Sequence, residues 1–398
     1  MARLRTLDNL KAGGRVVLVR ADLNVPMRDG TPTDWTRITR LAPTIAELRA
    51  AGARIALISH FGRPEGADPA FSLQPLIGPL GEAFGGAAPA FAPDCIGERA
   101  AAVVGELGGG GEVALLENLR FHPGEEANDA GFAAALAALG DLYVGDAFSC
   151  AHRAHASVVG LPRLLPAVAG RAMQAEIEAL ESVLEVPQRP LMAVVGGAKV
   201  STKLGLLHSL VGHVDTLAVG GAMANTFLRA RGHSIGRSLW EADLAAEAGA
   251  VETAAAAAGC ALLLPEDVVV AAELAPGAAV RTVAATAVPE DTMSLDVGPA
   301  TVRALERALE RSRTLVWNGP LGAFETPPFD AGTNAAANAA ASLTASGDLL
   351  SVAGGGDTVA ALEHAGAAAR FTYVSAAGGA FLEWLEGREL PGIAALAG

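Results

Sequence analysis

Lysine is almost missing from this chain. Only Lys11, Lys199 and Lys203 occur among 398 residues, and every other permanent side-chain cation is arginine. Cysteine is scarce too: Cys95, Cys150 and Cys260 are scattered and odd in number, which excludes a disulfide framework and points to a reducing compartment. Hydrophobic residues make up 51% of the chain, much of it alanine, yet no run approaches the roughly 18 apolar residues of a spanning helix. Residues 1–14 hold no apolar stretch of the kind a secretory signal needs, so the cytoplasm is the expected location. The net charge of −14 argues against nucleic acid or an anionic membrane as partner. No repeat of solenoid period is visible. There is no Gly-x-x-x-x-Gly-Lys-[Ser/Thr] loop, which excludes a P-loop enzyme. The nearest approach to a dinucleotide fingerprint, Gly354-x-Gly356-x-x-Val359, lacks its third small residue and its acidic partner.

What is present alternates regularly. Short apolar, often β-branched runs end in polar residues or glycine and are followed by alanine-rich helical stretches. The runs fall at 16–19, 55–58, 113–116 and 142–144, then at 191–195, 216–219, 261–264, 314–317, 349–352 and 371–374. Continuous apolar runs between helices read as buried strands of parallel sheets. A chain of this length exceeds one ordinary core. The expected fold is α/β: two doubly wound, parallel-sheet, Rossmann-like domains. Between them, residues 171–185 carry Met173, Ile177, Leu180 and Leu184 on one helical face, and Pro187 and Pro190 end the helix. A long helix joining two sheets and an ordinary surface helix are both compatible with that pattern. The glycine-rich stretch 105–111 precedes a strand and reads as a loop.

Ligands of open α/β sheets sit beyond the carboxyl ends of the strands. In the first half those ends are cationic: Arg20, Asp22 and Asn24 after the first run, His60 and Arg63 after the second, Arg120 and His122 after the third, His152, Arg153 and His155 after the fourth, with Arg37 beyond the first loop. If the segment after the first run stays extended, Arg20, Asp22 and Asn24 project on one face. Arginine forks match phosphate and carboxylate oxygens, so four strand ends repeating this theme in an acidic chain imply a pocket for a small, multiply charged anion. His122 and His152 are the weaker members, and each has a structural reading.

In the second half the strand ends are glycines: Gly196-Gly197, Gly220-Gly221, Gly354-Gly355-Gly356 and Gly378-Gly379. Glycine admits a phosphate close to the backbone, and a following helix N-terminus offers free N–H donors. Asp357 is placed for Mg²⁺, which takes few carboxylates, or else for a helix N-cap. Glu325, after Trp317-Asn318-Gly319-Pro320, can accept ribose hydroxyls. Lys199 and Lys203, four residues apart behind a glycine pair, mark a place where a compact ammonium is needed instead of a planar guanidinium.

With these segments assembled, the chain resembles the phosphoglycerate kinases over nearly its whole length. The matching motifs are RADLNVP (20–26), SHFGRP (59–64), ENLRF (117–121), DAFSCAHRAHAS (146–157), GGAKVSTK (196–203), GGAMANTF (220–227), WNGPLGAFE (317–325) and GGGDT (354–358). The resemblance implies a cleft between a phosphoglycerate-binding domain at 1–170 and a nucleotide-binding domain at 187–376. The helix at 171–186 would be the hinge, and residues 377–398 would return to the first domain. It implies that Asp22, Leu23, Asn24, Arg37, His60, Phe61, Gly62, Arg63, Arg120 and Arg153 bind phosphoglycerate. Lys203, Gly220, Asn318, Glu325, Gly355, Gly356, Asp357 and Thr358 would bind ADP or ATP, with Mg²⁺ on Asp357. Arg37, Lys199, Gly356 and Gly379 would surround the phosphoryl group in flight. The implied reaction is reversible, in-line transfer between 1,3-bisphosphoglycerate and MgADP after domain closure, by a cytoplasmic monomer. The chain departs from the family pattern at Ser149-Cys150, where Gly-Thr is usual, at Glu266, and at Ala376-Ala377, where Thr-Gly is usual. A nicotinamide dehydrogenase is disfavoured by the missing fingerprint, and a binding protein without catalysis could dispense with Lys199 and Asp357.

Overall fold

The structure, a computed structural model, describes residues 4–397; residues 1–3 and 398, the outermost of the expected segments, lie outside them. The chain forms two compact units. The first comprises residues up to Glu178 together with the stretch from Glu389 onward, and the second runs from Ala179 to Arg388.

The first unit is built on a six-stranded parallel sheet of β1 (Val16–Ala21), β2 (Arg54–Ile58), β3 (Ala90–Ala92), β4 (Val113–Leu116), β5 (Leu142–Asp146) and β6 (Ala167–Ala169), in the order β3-β4-β2-β1-β5-β6. Every residue of β1, β4 and β5 is buried, as strands covered on both faces require. Helix α1 (Thr36–Ala50) lays Ile38, Leu41, Ile45 and Leu48, spaced at helical period, against Val17, Val19, Ile55 and Leu57.

The second unit repeats the plan with β7 (Leu191–Val195), β8 (Thr216–Val219), β9 (Ala261–Leu263), β10 (Thr314–Asn318), β11 (Leu350–Gly354) and β12 (Tyr373–Ser375). Its order is β9-β8-β7-β10-β11-β12. The alanines packed here have a structural use. Ala336, Ala337, Ala340 and Ala341 form the buried face of the helix Ala331–Ala345, bringing its backbone close to Leu315 and Trp317. A smaller antiparallel sheet is added in this unit from Asp267–Ala271, Arg281–Ala284 and Met293–Val297.

The helix α2 (Arg171–Leu184) carries the unit boundary, which falls between Glu178 and Ala179. Val183 rather than Leu184 completes its buried face with Met173, Ile177 and Leu180. The return to the first unit begins at Glu389, not at 377. Residues 377–388 stay with the second unit because Phe381 packs over Gly354 and the Leu385 carbonyl accepts from Ser209 Oγ (2.9 Å). Beyond them, Gly392 N donates to the Ala151 carbonyl (2.8 Å), and Leu396 packs on Gly145.

Candidate active site

In each sheet the strand order turns around the first strand, at β1/β5 and at β7/β10, and the loops leaving these strands are where an open sheet takes its ligand.

In the first unit, β1 ends at Ala21 and the chain does not stay extended. Asn24 N turns back onto Asp22 Oδ1 (3.2 Å), and Val25 N onto the Leu23 carbonyl (2.9 Å). The expected common face of Arg20, Asp22 and Asn24 is therefore broken. Arg20, still in the strand, is buried beneath the loops, where Nε donates to Ser157 Oγ (2.8 Å) and a terminal nitrogen donates to His60 Nδ1 (3.2 Å). Ser157 in turn donates to the fully buried Glu125 (2.6 Å). Leu23 is an anchor, its side chain buried and its N–H donating to Ser59 Oγ (3.0 Å).

Arg37, in the first turn of α1, donates to Asp22 Oδ1 (3.0 Å) and to the Asn24 carbonyl (2.8 Å). Asn24 Oδ1 accepts from Gly62 N (3.0 Å), and the Gly62 carbonyl accepts from Arg120 (2.5 Å). Asn118, absent from the sequence-based set, brackets Phe61 by accepting from its N–H (3.1 Å) and donating to its carbonyl (2.7 Å). Ser149, where the family pattern has glycine, donates to Asp22 Oδ2 (2.5 Å).

His60 is the centre of this arrangement. Burial, and then the fields of Arg20, Arg120, Arg153 and Arg37, hold its pKa well below the ordinary value, so the imidazole is neutral. Arginine only donates, so Nδ1 accepts and the proton sits on Nε2. Arg153 is half-buried, with Nε donating to His152 (3.3 Å). Arg63 is exposed and forms no ion pair with a described residue. The structure thus gathers Arg37, His60, Arg120 and Arg153 about one place and adds Arg20 beneath them. His122 stands apart, paired with Asp94 (2.8 Å).

In the second unit, Lys203 is held at the switch point itself. Its ammonium donates to the carbonyls of Gly196 (2.6 Å) and Asn318 (3.1 Å), which follow β7 and end β10. Burial lowers its pKa to about 8, against an opposing pull from Asp357. Gly319 has φ +101°, and a Cβ there would lie 2.6 Å from the ammonium, so glycine is required. Lys199, in the same loop, is exposed.

Two helices start nearby, α3 (Gly356–His364) and α4 (Gly378–Leu385), and neither has a side-chain cap. A Cβ on Gly378 would lie 3.7 Å from Gly356 N, so the two N-termini converge and present uncapped N–H donors to one place. Asp357 lies in the first turn of α3 and is exposed; the N-cap is Gly355, so Asp357 is not the cap. Thr358 is buried as a bracket, donating to the Gly354 carbonyl (2.8 Å) and accepting from Gly319 N (2.7 Å). Asn318 Nδ2 donates to Gly354 (2.7 Å), while its Oδ1 is buried without a partner. At the departure from the family pattern, Ala377 has φ −106°, outside the left-handed range that requires glycine, so the backbone there does not exclude alanine.

A cavity of about 300 Å³ adjoins these loops, with Ala198, Gly221, Leu239, Pro320, Leu321, Glu325 and Asp357 in its wall. Gly220 is set back, facing Leu321. Part of the wall comes from the antiparallel sheet through Val268, Met293, Ser294 and Leu295, which the strand reading missed. The valine run at 268–270 and the alternation at 293–297 were its available signals. Asp296, buried in the same wall, accepts from Gly332 N (2.7 Å) and Val297 N (2.8 Å), and burial raises its pKa to about 7.

An arginine pocket at the strand ends of one α/β unit, and convergent helix N-termini with a lysine at those of the other, define a phosphotransferase acting on small anions. Comparison with known proteins makes the class particular. The family model for phosphoglycerate kinase matches residues 7–388. A curated phosphoglycerate kinase of Rhizobium johnstonii is 59% identical over 398 residues, covering all of this chain and 99% of that protein. One of Rhodospirillum centenum is 57% identical over 392 residues, covering 98% and 99%. Among solved structures, phosphoglycerate kinase from Coxiella burnetii superposes with a TM-score of 0.91 at 41% identity, covering 99% of each chain. That from Pyrococcus horikoshii gives 0.80 at 29% identity, covering 99% and 98%. The chain belongs to the phosphoglycerate kinase family, the glycolytic enzymes that reversibly transfer a phosphoryl group between 1,3-bisphosphoglycerate and ADP. Among the described residues no helix is long and apolar enough to cross a membrane.

Proposed function

We propose that the first unit holds the phosphoglycerate and the second the nucleotide, and that the chain carries out its family's reaction without a general base. The acceptor is a carboxylate or phosphate oxygen that is already ionised, so the protein's task is to position it in line and to neutralise charge on the group in flight. The observation that carries this reading is the ring of Arg20, Arg37, Arg120 and Arg153 around a neutral His60. Arg37, Arg120, Arg153 and the exposed Arg63 bind the substrate's anionic groups, and His60 donates from Nε2. Asp22 and Asn24 set Arg37, while Leu23, Phe61 and Gly62 shape the loops through their backbone.

On the second unit the cavity takes the nucleoside, with Glu325 accepting from the ribose. Gly355 and the amides at Gly356 and Gly379 receive the phosphates beside Lys203. Lys199, Arg37, Gly356 and Gly379 surround the transferred group. Mg²⁺ fits this chain at Asp357, an exposed carboxylate at a helix N-terminus beside the phosphate cradle, with the orphaned Asn318 Oδ1 able to accept from a water of its hydration shell. When bound, it would neutralise phosphate charge. Asn318 and Thr358 hold the loops that form the cradle. The two units close about α2 in each turnover, and the protein works as a cytoplasmic monomer.

One assay tests the reading. ATP consumption should require both 3-phosphoglycerate and Mg²⁺, with no reduction of NAD. Consumption independent of 3-phosphoglycerate would overturn the substrate assignment.

A further inference from the structure

The His122–Asp94 pair lies outside the proposed phosphoryl-transfer machinery, and beside it is a third donor. Asp94 and Cys95 follow β3, and His122 follows the turn Leu119–Phe121 after β4, the strand that pairs with β3. A carboxylate oxygen of Asp94, Cys95 Sγ and a ring nitrogen of His122 all lie within 4.8 Å of one another. Among the described residues this is the one such group of three or more His, Cys, Asp or Glu side chains.

We propose that Asp94, Cys95 and His122 form a binding site for a borderline transition-metal ion of the Zn²⁺ type. The donor set of one sulfur, one imidazole nitrogen and one carboxylate oxygen suits such an ion and is unsuited to Mg²⁺. The parts are held in place. Asp94 Oδ1 accepts from Cys95 N (2.7 Å), and the His122 ring lies 5.3 Å from that of Phe132. His122 and Asp94 are each about one-third exposed (31% and 36%), while Cys95 is fully buried beneath them, so an ion enters from the solvent side and a water completes its shell.

His122 Nε2 and Asp94 Oδ1 are now 2.8 Å apart, joined by a proton. Two ligands at roughly 2.0 Å on a tetrahedral ion stand roughly 3.3 Å apart, so coordination opens this pair by about half an ångström. The ion takes the place of the shared proton, which is exchanged through solvent to His122 Nδ1 so that the ring ligates as a neutral imidazole, and the thiol proton leaves to solvent as the thiolate forms. Because Arg120 lies on the turn that ends at His122, occupancy also ties down the segment that carries a proposed substrate arginine.

Titration of the whole enzyme with cobalt(II) chloride under reducing conditions tests the site. The expected result is one equivalent bound, with a near-ultraviolet thiolate-to-cobalt charge-transfer band and visible ligand-field bands, displaced by zinc and not by excess Mg²⁺. The charge-transfer band should vanish in Cys95→Ser, and binding should weaken at least ~10-fold in His122→Ala and in Asp94→Asn. Circular dichroism establishes that each variant is folded. Should Cys95→Ser not fold, the other two variants, which keep the thiol, decide. No charge-transfer band in the parent enzyme, or a band unchanged in Cys95→Ser or in both His122→Ala and Asp94→Asn, overturns the proposal, the last two outcomes pointing to Cys150 or Cys260.

Discussion

Lys203 has its ammonium between two carbonyl oxygens and little else to offset its burial, and its pKa of about 8 follows from that imbalance. In the ligand-free protein the folded state holds fewer protons than the unfolded one between about pH 8 and 10.5, so this group adds stability as pH rises through that window and loses it as pH falls through 8. Nucleotide phosphates reverse the imbalance by favouring the charged form. Binding of MgADP at pH 8, where the nucleotide is fully ionised, should therefore take up about half a proton per site. Calorimetry in buffers of different ionisation enthalpy measures this directly, and net proton release would contradict it. The lysine-poor composition gives the neighbouring Lys199 its own test. Lys199→Arg keeps the charge and should still lose most activity, because a planar fork does not replace a compact, mobile ammonium; full turnover would refute the need for an ammonium. Arg37 is held by Asp22 and Asn24 in the first turn of α1, and its removal takes away a charge proposed to face the transferring group. By comparison with other arginines that act on phosphoryl groups in flight, Arg37→Ala should lower kcat by roughly 10³-fold or more, read in a steady-state assay at saturating substrates.

The elements show a different balance at the start of α2. Asp146, the last residue of β5, is buried and accepts from Met173 N (2.9 Å) in the first turn of the helix that carries the unit boundary. A carboxylate at a helix N-terminus is favourable, yet burial outweighs this and raises the pKa from 3.8 to about 6. The folded protein then binds more protons than the unfolded one between those values. The stability from this group is full below about pH 4 and is lost as pH rises through 6. Asp146→Asn keeps an acceptor for Met173 N and removes that slope. The variant should gain on the parent between pH 5 and pH 8, by about 1.4 kcal/mol, in denaturant midpoints measured at both pH values. An identical pH profile for the two proteins would count against a buried, titrating Asp146.

The element scale also shows what was legible in the sequence. Runs such as 16–19, 113–116 and 191–195 are apolar throughout because both faces of their strands are covered, and each proved a strand. Ala90–Ala92 and Ala167–Ala169 were not legible, since three-residue edge strands made mostly of alanine carry no β signal. The charged ends of β2 and β4 pointed to an anion pocket from types and spacing alone. The inward turn of Arg20 did not show, because it depends on Ser157 and Glu125, more than a hundred residues away. Thr358 likewise read as a ligand by its place after Gly-Gly-Gly-Asp, whereas its hydroxyl is taken up by Gly354 and Gly319. Composition reports the chemistry a loop carries; which side chains are spent on holding the loop depends on contacts that only the fold creates.

At the scale of the whole molecule, the arginine ring belongs to one unit and the convergent helix N-termini to the other. A phosphoryl group passes directly only when the acceptor oxygen stands about 3 to 3.5 Å from the phosphorus still bonded to the donor oxygen, so a substrate proposed on one unit and a nucleotide proposed on the other must be carried together. An acyl phosphate is open to hydrolysis, which makes the exclusion of water on closure as necessary as the approach itself. Differential affinity supplies the drive. On the proposed assignment, either ligand alone would contact one unit and have little preference between open and closed states, whereas both together would bring the transferring group within reach of Arg37 and Lys199 at once. Small-angle scattering should therefore show a fall in radius of gyration with 3-phosphoglycerate and MgATP present together, and little change with either alone. A radius unaltered by the pair would leave the transfer without the closure proposed here, and an equal fall with one ligand would move the drive for closure from the pair to that single site.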